Sequence, residues 1–360
     1  MINKNNKTLS RNKTLSRNKT LSRNKTLSRN KTLSRNKTLS RNKLVIKLLI
    51  GCHSSIANGV LESIKYVESI GGNALQIFLG SKSSASIKMK HKFSSQTEID
   101  EIKNYVSRNK ICLVIHSVYP INLCKFPSTS GRIQYAHTNI QYDLKYGLML
   151  GAKCFILHLG SRTNTDIDTA INNLISNINK IITNMPKGIM LSLETSAGSV
   201  NQVGWNLEEM ALIWNRIKHN NANKKTKVGV CIDTAHIFVS GYDISTVSGI
   251  SEYMKKFDSL IGIKNITNFH INDSKYALGT KHDEHRGIGK GLIYNSNKGK
   301  NALLYIKKLC IQHKIPMILE THSAGSAGSV GSANNALIEG SHKGEHGNGY
   351  EYEIDMIKKL

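Results

Sequence analysis

Val228-Gly-Val-Cys-Ile-Asp-Thr-Ala-His236 opens as an apolar run, closes on a carboxylate and places a histidine three residues further on. A run that is apolar nearly throughout, rather than at alternate positions, fits a strand covered on both faces. Across a strand-to-helix turn, Asp233 and His236 can face adjacent ions. The same plan recurs along the chain. The other strand candidates are Leu44–Cys52, Ala74–Leu79, Cys112–His116, Cys154–His158, Ile189–Glu194, Ile266–Ile271 and Pro316–Glu320. Helix-like stretches separate them: Gly59–Ser69, Thr97–Arg108, Ile133–Leu150, Thr169–Thr183, Leu207–His219, Ile250–Phe257 and Asn301–His313. Eight strand–helix alternations predict an α/β chain closed as a (β/α)8 TIM barrel. A doubly wound open sheet is the structural alternative.

Such a barrel carries its chemistry at the C-terminal strand ends. His116, His158 and His270 close three of the runs, and Glu194, Asp233 and Glu320 close three others. His236, Asp283 and His285 lie just beyond, with His282 as the competitor of His285. Burying three carboxylates together without cations would raise their pKa values and cost several kcal/mol. Nine nitrogen and oxygen donors exceed the four of one tetrahedral ion. They suit two or three divalent ions. Three ions would leave the site net positive and attractive to a phosphodiester.

The net charge is +26. Residues 6–41 are six consecutive copies of Asn-Lys-Thr-Leu-Ser-Arg; with Lys4 and Lys43 they bring residues 1–43 to +14, which leaves +12 for residues 44–360. A basic folded part favours a polyanionic partner, nucleic acid first and an anionic membrane surface second. A six-residue period turns leucine by about 240° per copy, so no apolar stripe forms and the tail is expected to be disordered. It reads as a phosphate-binding tail, a transit peptide or an expansion without function. Residues 44–360 are expected to form the barrel domain, interrupted by a low-complexity insertion at 322–349 that holds His342 and His346, before a last helix at Glu351–Leu360. The Gly-x-Gly-x-Gly of Gly287–Gly291 does not join a strand to a helix, so it is no dinucleotide fingerprint. Six cysteines, none in a Cys-x-x-Cys pair, read as reduced and structural, and imply a reducing compartment. No apolar run is long enough to span a membrane, and no secretory signal is apparent.

Several segments together resemble the endonuclease IV family of apurinic/apyrimidinic (AP) endonucleases (AP endonuclease family 2). They are Gly51-Cys-His-Ser-Ser, His116-Ser-Val-Tyr-Pro-Ile-Asn-Leu123, His158-Leu-Gly-Ser161, Glu194-Thr-Ser-Ala-Gly198, Val228–His236 with Gly241-Tyr-Asp243, His270-Ile-Asn-Asp-Ser-Lys275, Asp283-Glu-His285 and Leu319-Glu-Thr321. The resemblance covers residues 48–321 and the final helix. It implies three zinc ions per chain, with manganese an alternative at one or more positions. His116, His158 and Glu194 would hold the first. Glu194 (bridging, and catalytic in that sense), Asp233, His270 and Glu320 would hold the second, and His236, Asp283 and His285 the third. Tyr119 matches the family's DNA-penetrating tyrosine; Lys82 and Arg162 are further expected DNA contacts. Lys82 stands in a loop where the family offers an arginine, Pro120 where a larger apolar residue follows the tyrosine, and Glu284 where an arginine separates the third ion's ligands. The implied activity is hydrolysis of the phosphodiester 5′ to abasic sites in double-stranded DNA, and removal of 3′ blocking groups. The implied protein is a monomer without membrane attachment, in the cytoplasm or nucleus or in a viral or organellar setting. Two rivals stay open: a metal-dependent sugar isomerase or epimerase on a similar barrel, and a non-catalytic basic DNA-binding protein.

Overall fold

The computed structural model describes residues 47–221, 228–321 and 349–360. The hexamer tail, and the insertion with His342 and His346, lie outside the described residues apart from Gly349. Among the described residues, the barrel strands are β1 (Ile50–His53), β2 (Ala74–Ile77), β3 (Cys112–His116), β4 (Cys154–Leu157), β5 (Met190–Glu194), β6 (Val228–Asp233), β7 (Ile266–His270) and β10 (Met317–Leu319). All pair in parallel and close in the order β1-β10-β7-β6-β5-β4-β3-β2. The open sheet is thereby excluded. A separate antiparallel ribbon joins β8 (Asp273–Ser274) to β9 (His285–Arg286).

The surrounding helices are α1 (Val60–Ser69), α2 (Gln96–Asn109), α3 (Gln134–Met149), α4 (Ile167–Asn184), α5 (Leu207–Asn220), α7 (Val247–Leu260), α8 (Asn297–His313) and α9 (Tyr350–Lys359). A short α6 (Thr234–Val239) follows β6 at once. Side-chain caps start most of them: Ser95, Asp166, Asn206, Thr246 and Ser296 each accept a backbone N–H three residues on. Leucine and isoleucine from their inner faces pack on the outward strand residues, forming the main core between helix layer and barrel. A smaller cluster of Ala74, Cys112, Val114, Cys154, Ile156, Cys231 and Ile318 fills the barrel itself. Three of the cysteines thus serve as compact fillers, and all six are free and buried.

Several boundaries differ from the sequence expectation for identifiable reasons. β1 starts at Ile50 rather than Leu44, because its ladder with β10 begins where Ile50 meets Met317. β10 is shorter at both ends: Pro316 lacks an N–H, and the Glu320 N–H donates to Asn272 Oδ1 at 2.9 Å instead of to the sheet. α8 begins at Asn297 rather than Asn301, through Gly299. A Cβ there would lie 2.2 Å from the Ile293 carbonyl oxygen, so a residue that weakens a helix is required by a close approach. α6 and the ribbon have no counterpart in the sequence reading; both are too short to show a period.

The loop after β2 is closed at its base by a bridge between Gly80 and Lys90. Lys90 Nζ then donates to both Asp143 oxygens on α3, each at 2.6 Å, with the two side chains only 2% and 0% exposed. Burial pushes the Asp143 carboxyl up to about 7 and lowers Lys90, so each charge depends on the other. Lys90→Met would leave a buried carboxylate without its partner. Urea unfolding should then show a loss of about 3–5 kcal/mol, with Lys90→Met/Asp143→Leu recovering most of it. A single variant as stable as the parent would contradict the role assigned to the pair.

Candidate metal centre

Side chains alternate inward and outward along each barrel strand. Counting upward by twos from Leu49, Ala74, Val114, Ile156, Met190, Cys231, Asn268 and Ile318, which pack in or against the cluster inside the barrel, the uppermost inward positions fall on His53, Gln76, His116, His158, Glu194, Asp233, His270 and Glu320. Every strand therefore ends in a polar group at the mouth. Six of these were expected from the sequence; Gln76 and His53 were missed. Gln76 was hidden because β2 was expected to run to Leu79, which put it in mid-strand. The period of two from Ala74 was the available signal.

Glu194 sits at the middle of the cluster. Its carboxylate oxygens lie 3.1 Å from His116 Nε2, 3.4 Å from His158 Nδ1 and 3.0 Å from His270 Nδ1. His270 Nδ1 is also 3.0 Å from Glu320 and 3.7 Å from Asp233. Donor atoms converge within 4.8 Å in the sets His116–His158–Glu194, Glu194–Asp233–His270–Glu320, Asp233–His236–His285 and His116–His270–Glu320. The first two match the expected first and second groupings. The third differs from expectation: His236 and His285 gather with Asp233. Asp283 approaches from the solvent side, 3.0 Å from His236 Nε2 and 3.3 Å from His285 Nε2. His282 instead packs against Tyr276, with ring centroids 5.1 Å apart.

Neighbouring groups fix the rings. Ser117 O faces His116 Nδ1 at 2.8 Å, Thr195 O faces His236 Nδ1 at 2.7 Å and Gln76 Oε1 faces His270 Nε2 at 2.8 Å. These oxygens only accept, so the facing nitrogen carries the hydrogen. In the neutral tautomer, the other nitrogen then aims a lone pair at a carboxylate. Gln76 Nε2 donates to Glu320 at 2.5 Å, and Asn272 Nδ2 donates to Asp233 at 2.7 Å and Glu320 at 3.3 Å. Asn272 was also missed by the sequence reading. His285 is placed by a longer chain of contacts. Asp273 on β8 accepts N–H groups from Ser274, Gly289, Ile293 and Tyr294 at 2.7–3.3 Å. A Cβ on Gly291 would lie 2.5 Å from Asp273 Oδ1, so the glycine-rich turn exists to wrap this carboxylate. The anchored β8 then pairs with β9, whose first residue is His285.

The donor set fits divalent cations. Lone pairs on imidazole nitrogens oppose carboxylate oxygens, and the buried His285 Nε2 has Asp283 Oδ1 at 3.3 Å but no well-aligned hydrogen bond. Without ions, protons must fill the gap. Burial disfavours charge on His236 and His270, but surrounding acids outweigh it and raise both well above the ordinary imidazole range. Burial opposes His285 in the same way, yet Asp233 and Asp283 lift it to about 9. Burial lowers His158 to about 4 against the pull of Glu194, and His53 to about 3 against that of Glu320. Glu194 is held well below its ordinary value despite burial, by His158, His270 and His116.

A cavity of about 530 Å³ opens over the cluster, lined among others by Tyr119, Asn122, His158, Glu194, Val200 and His285. Tyr119 is 56% exposed on its rim, edge-on to Phe78, and its N–H donates to Lys82 O at 3.0 Å. Lys82 is exposed on the loop after β2. Arg162 is half-buried and donates through Nη2 to Asn201 Oδ1 at 3.2 Å. Glu284 pairs with Lys275 at 2.8 Å.

Two expectations follow. A folded-state pKa of about 9 against 6.5 for His285 contributes stability that is full below 6.5 and lost as pH rises through 9. Thermal melts of chelator-treated protein should therefore fall across that window. Zinc affinity, measured by competition with a coloured chelator, should rise across it as bound protons give way. Separately, Gln76→Leu should weaken zinc binding by about 10–100-fold while leaving the fold intact, since Gln76 orients His270 and Glu320 from behind.

Comparisons with known proteins bear on the fold and the family. A family model described as a xylose isomerase-like TIM barrel matches residues 64–330. The putative endonuclease 4 of Acanthamoeba polyphaga mimivirus is 32% identical over 277 residues, covering 76% of this chain and 85% of that protein. The probable endonuclease 4 of Halothermothrix orenii is 33% identical over 273 residues, covering 76% and 92%. The crystal structure of endonuclease IV from Thermus thermophilus aligns with a TM-score of 0.61 at 22% identity, over 76% of this chain and 93% of that one. At that identity the structural likeness speaks to fold alone.

Proposed function

Because the chain belongs to the endonuclease IV family, we propose that it is a DNA repair endonuclease that hydrolyses the phosphodiester 5′ to abasic sites in double-stranded DNA. The products would be a 3′-hydroxyl and a 5′-deoxyribose phosphate, and 3′ blocking groups would be removed at the same site. The observation that carries the reading is the convergence of Glu194, Asp233, His270 and Glu320 at the ends of four consecutive strands, with His116 and His158 at the ends of the next two and with His236, Asp283 and His285 on segments that follow β6 and β7.

Three zinc ions are the proposed complement. His116, His158 and Glu194 would hold one; Glu194, Asp233, His270 and Glu320 a second; and His236, Asp283 and His285 a third, with Asp233 close enough to share it. Ions there would supply Lewis-acid polarisation of the phosphate and an activated water. The four carboxylates are then all taken up as ligands, so none remains as a general base. The +12 of residues 44–360 favours approach of the phosphate backbone. Tyr119, exposed on the rim, would stack beside the gap left by a missing base. No helix among the described residues is long and apolar enough to cross a membrane. Six free buried cysteines support a reducing compartment.

The test is incision of a labelled duplex bearing one abasic site by purified protein supplied with zinc or manganese, alongside elemental analysis. Incision on the 5′ side, with three metals per chain, is the expected result. Glu194→Gln should keep DNA binding and lower incision by more than about 100-fold, beyond the range typical of residues that only support ligands. Stoichiometric metal with epimerase activity and no incision would favour a sugar-processing barrel. DNA binding that survives Glu194→Gln alongside a parent that never cuts would favour a coating protein.

A further inference from the structure

Among the described residues, six that are not glycine have a positive φ. Lys110 and Lys314 are the left-handed C-caps of α2 and α8, an ordinary way to end a helix. The other four are Thr163, Val200, Asn201 and Lys281, at φ of 50°, 45°, 63° and 57°. All lie in loops that follow β4, β5 and β7, on the side of the barrel that carries the metal-binding side chains. Backbone strain is thus gathered at one sector of the mouth.

Val200 stands out among them. Like Thr163 it is β-branched, and a β-branched residue in the left-handed region is a genuine outlier; unlike Thr163 it is also apolar. Packing does not compensate, because Val200 is 86% exposed. The surrounding framework holds it there. Ser199 N donates to Gln202 Oε1 at 3.2 Å, and Gln202 N donates to Ser199 O at 2.9 Å. The Ser199 hydroxyl donates to the Lys281 carbonyl. Arg162 grips Asn201 twice, N to O at 3.0 Å and Nη2 to Oδ1 at 3.2 Å. Glycine would occupy this position without strain, so the valine side chain sits there at a local penalty. Strain kept in this way belongs with contacts made to something else.

The neighbourhood indicates what that is. Val200 and Tyr119 line the same cavity, in loops that follow β5 and β3, with β4 and its terminal His158 between them. Two exposed, largely apolar side chains therefore rise over the metal-binding floor. We propose that Val200 is a duplex-contact residue, whose side chain packs on the sugar and base faces next to the abasic nucleotide, two strands round the mouth from Tyr119. The proposal rests on the endonuclease reading and adds a specificity determinant to it: the residue favours a lesion held in duplex DNA over one in a single strand.

The experiment is steady-state incision, by zinc-loaded protein, of a labelled duplex carrying a tetrahydrofuran abasic analogue, and of the same labelled strand alone. Val200→Gly should melt no lower than the parent, because it relieves strain, and should keep kcat within about twofold. KM for the duplex should rise roughly tenfold, the effect of exposing one small apolar side chain that had been buried. KM for the single strand should not change, and Val200→Ile should restore the parental duplex value. An unchanged duplex KM in Val200→Gly, or an equal rise on both substrates, overturns the proposal. A parent that cuts neither substrate sinks the endonuclease reading and this inference with it, and is distinguished by that parental result.

Discussion

The structure is organised around a set of negative charges that the chain could not otherwise bury. Glu194, Asp233 and Glu320 project into a barrel mouth above a buried layer that includes Ala74, Val114, Ile156, Cys231 and Ile318. A carboxylate in such surroundings is tolerable only with cations or protons close by. Imidazoles on β3, β4 and β7 stand where they can supply one or the other. Around them, Ser117, Thr195 and Gln76 hold the rings of His116, His236 and His270 so that each presents a fixed nitrogen to an acid, and Asn272 donates to Asp233. The constraint propagates outward: an amide on β2 orients a ring on β7, and a caged carboxylate on β8 sets the strand that carries His285.

Much of this architecture was legible in the chain. Eight apolar runs, five of them closing on a histidine or an acid and a sixth with His270 one residue from its end, expose both the barrel and its reactive end, because inward and outward faces of a parallel barrel are equally dry. What stayed hidden depends on contacts between residues far apart in sequence. Gln76 matters only because His270 and Glu320 lie beside it, 194 and 244 residues away. Asn272 acquires its role from Glu320, 48 residues on. No local period carries that information. The glycines at 287–291 do not join a strand to a helix, and their purpose, to let backbone N–H groups close on Asp273, is visible only in three dimensions.

Asp233 shows how the structure adjusts a grouping that the sequence could only approximate. Spacing alone pairs Asp283 with His285. In space, Asp233 Oδ2 lies 3.7 Å from both His270 Nδ1 and His285 Nε2, between two sets of donors. Its Oδ1 accepts the His236 N–H at 3.0 Å, which caps α6 and fixes the direction of that helix. One carboxylate thus ends a strand, starts a helix and joins two clusters. The three residues from Asp233 to His236 are short for that reason.

Glu353 on the last helix accepts the Ile288 N–H at 2.8 Å and the Thr321 hydroxyl at 2.5 Å. Thr321 is the final described residue before the low-complexity segment, and α9 begins just after it. The segment's exit and re-entry points are therefore stapled side by side on the barrel floor plan. Closing a chain between two fixed neighbours grows only logarithmically harder with length, about 0.6 kcal/mol for each doubling. A change in the number of residues between these two anchors therefore carries a small closure cost.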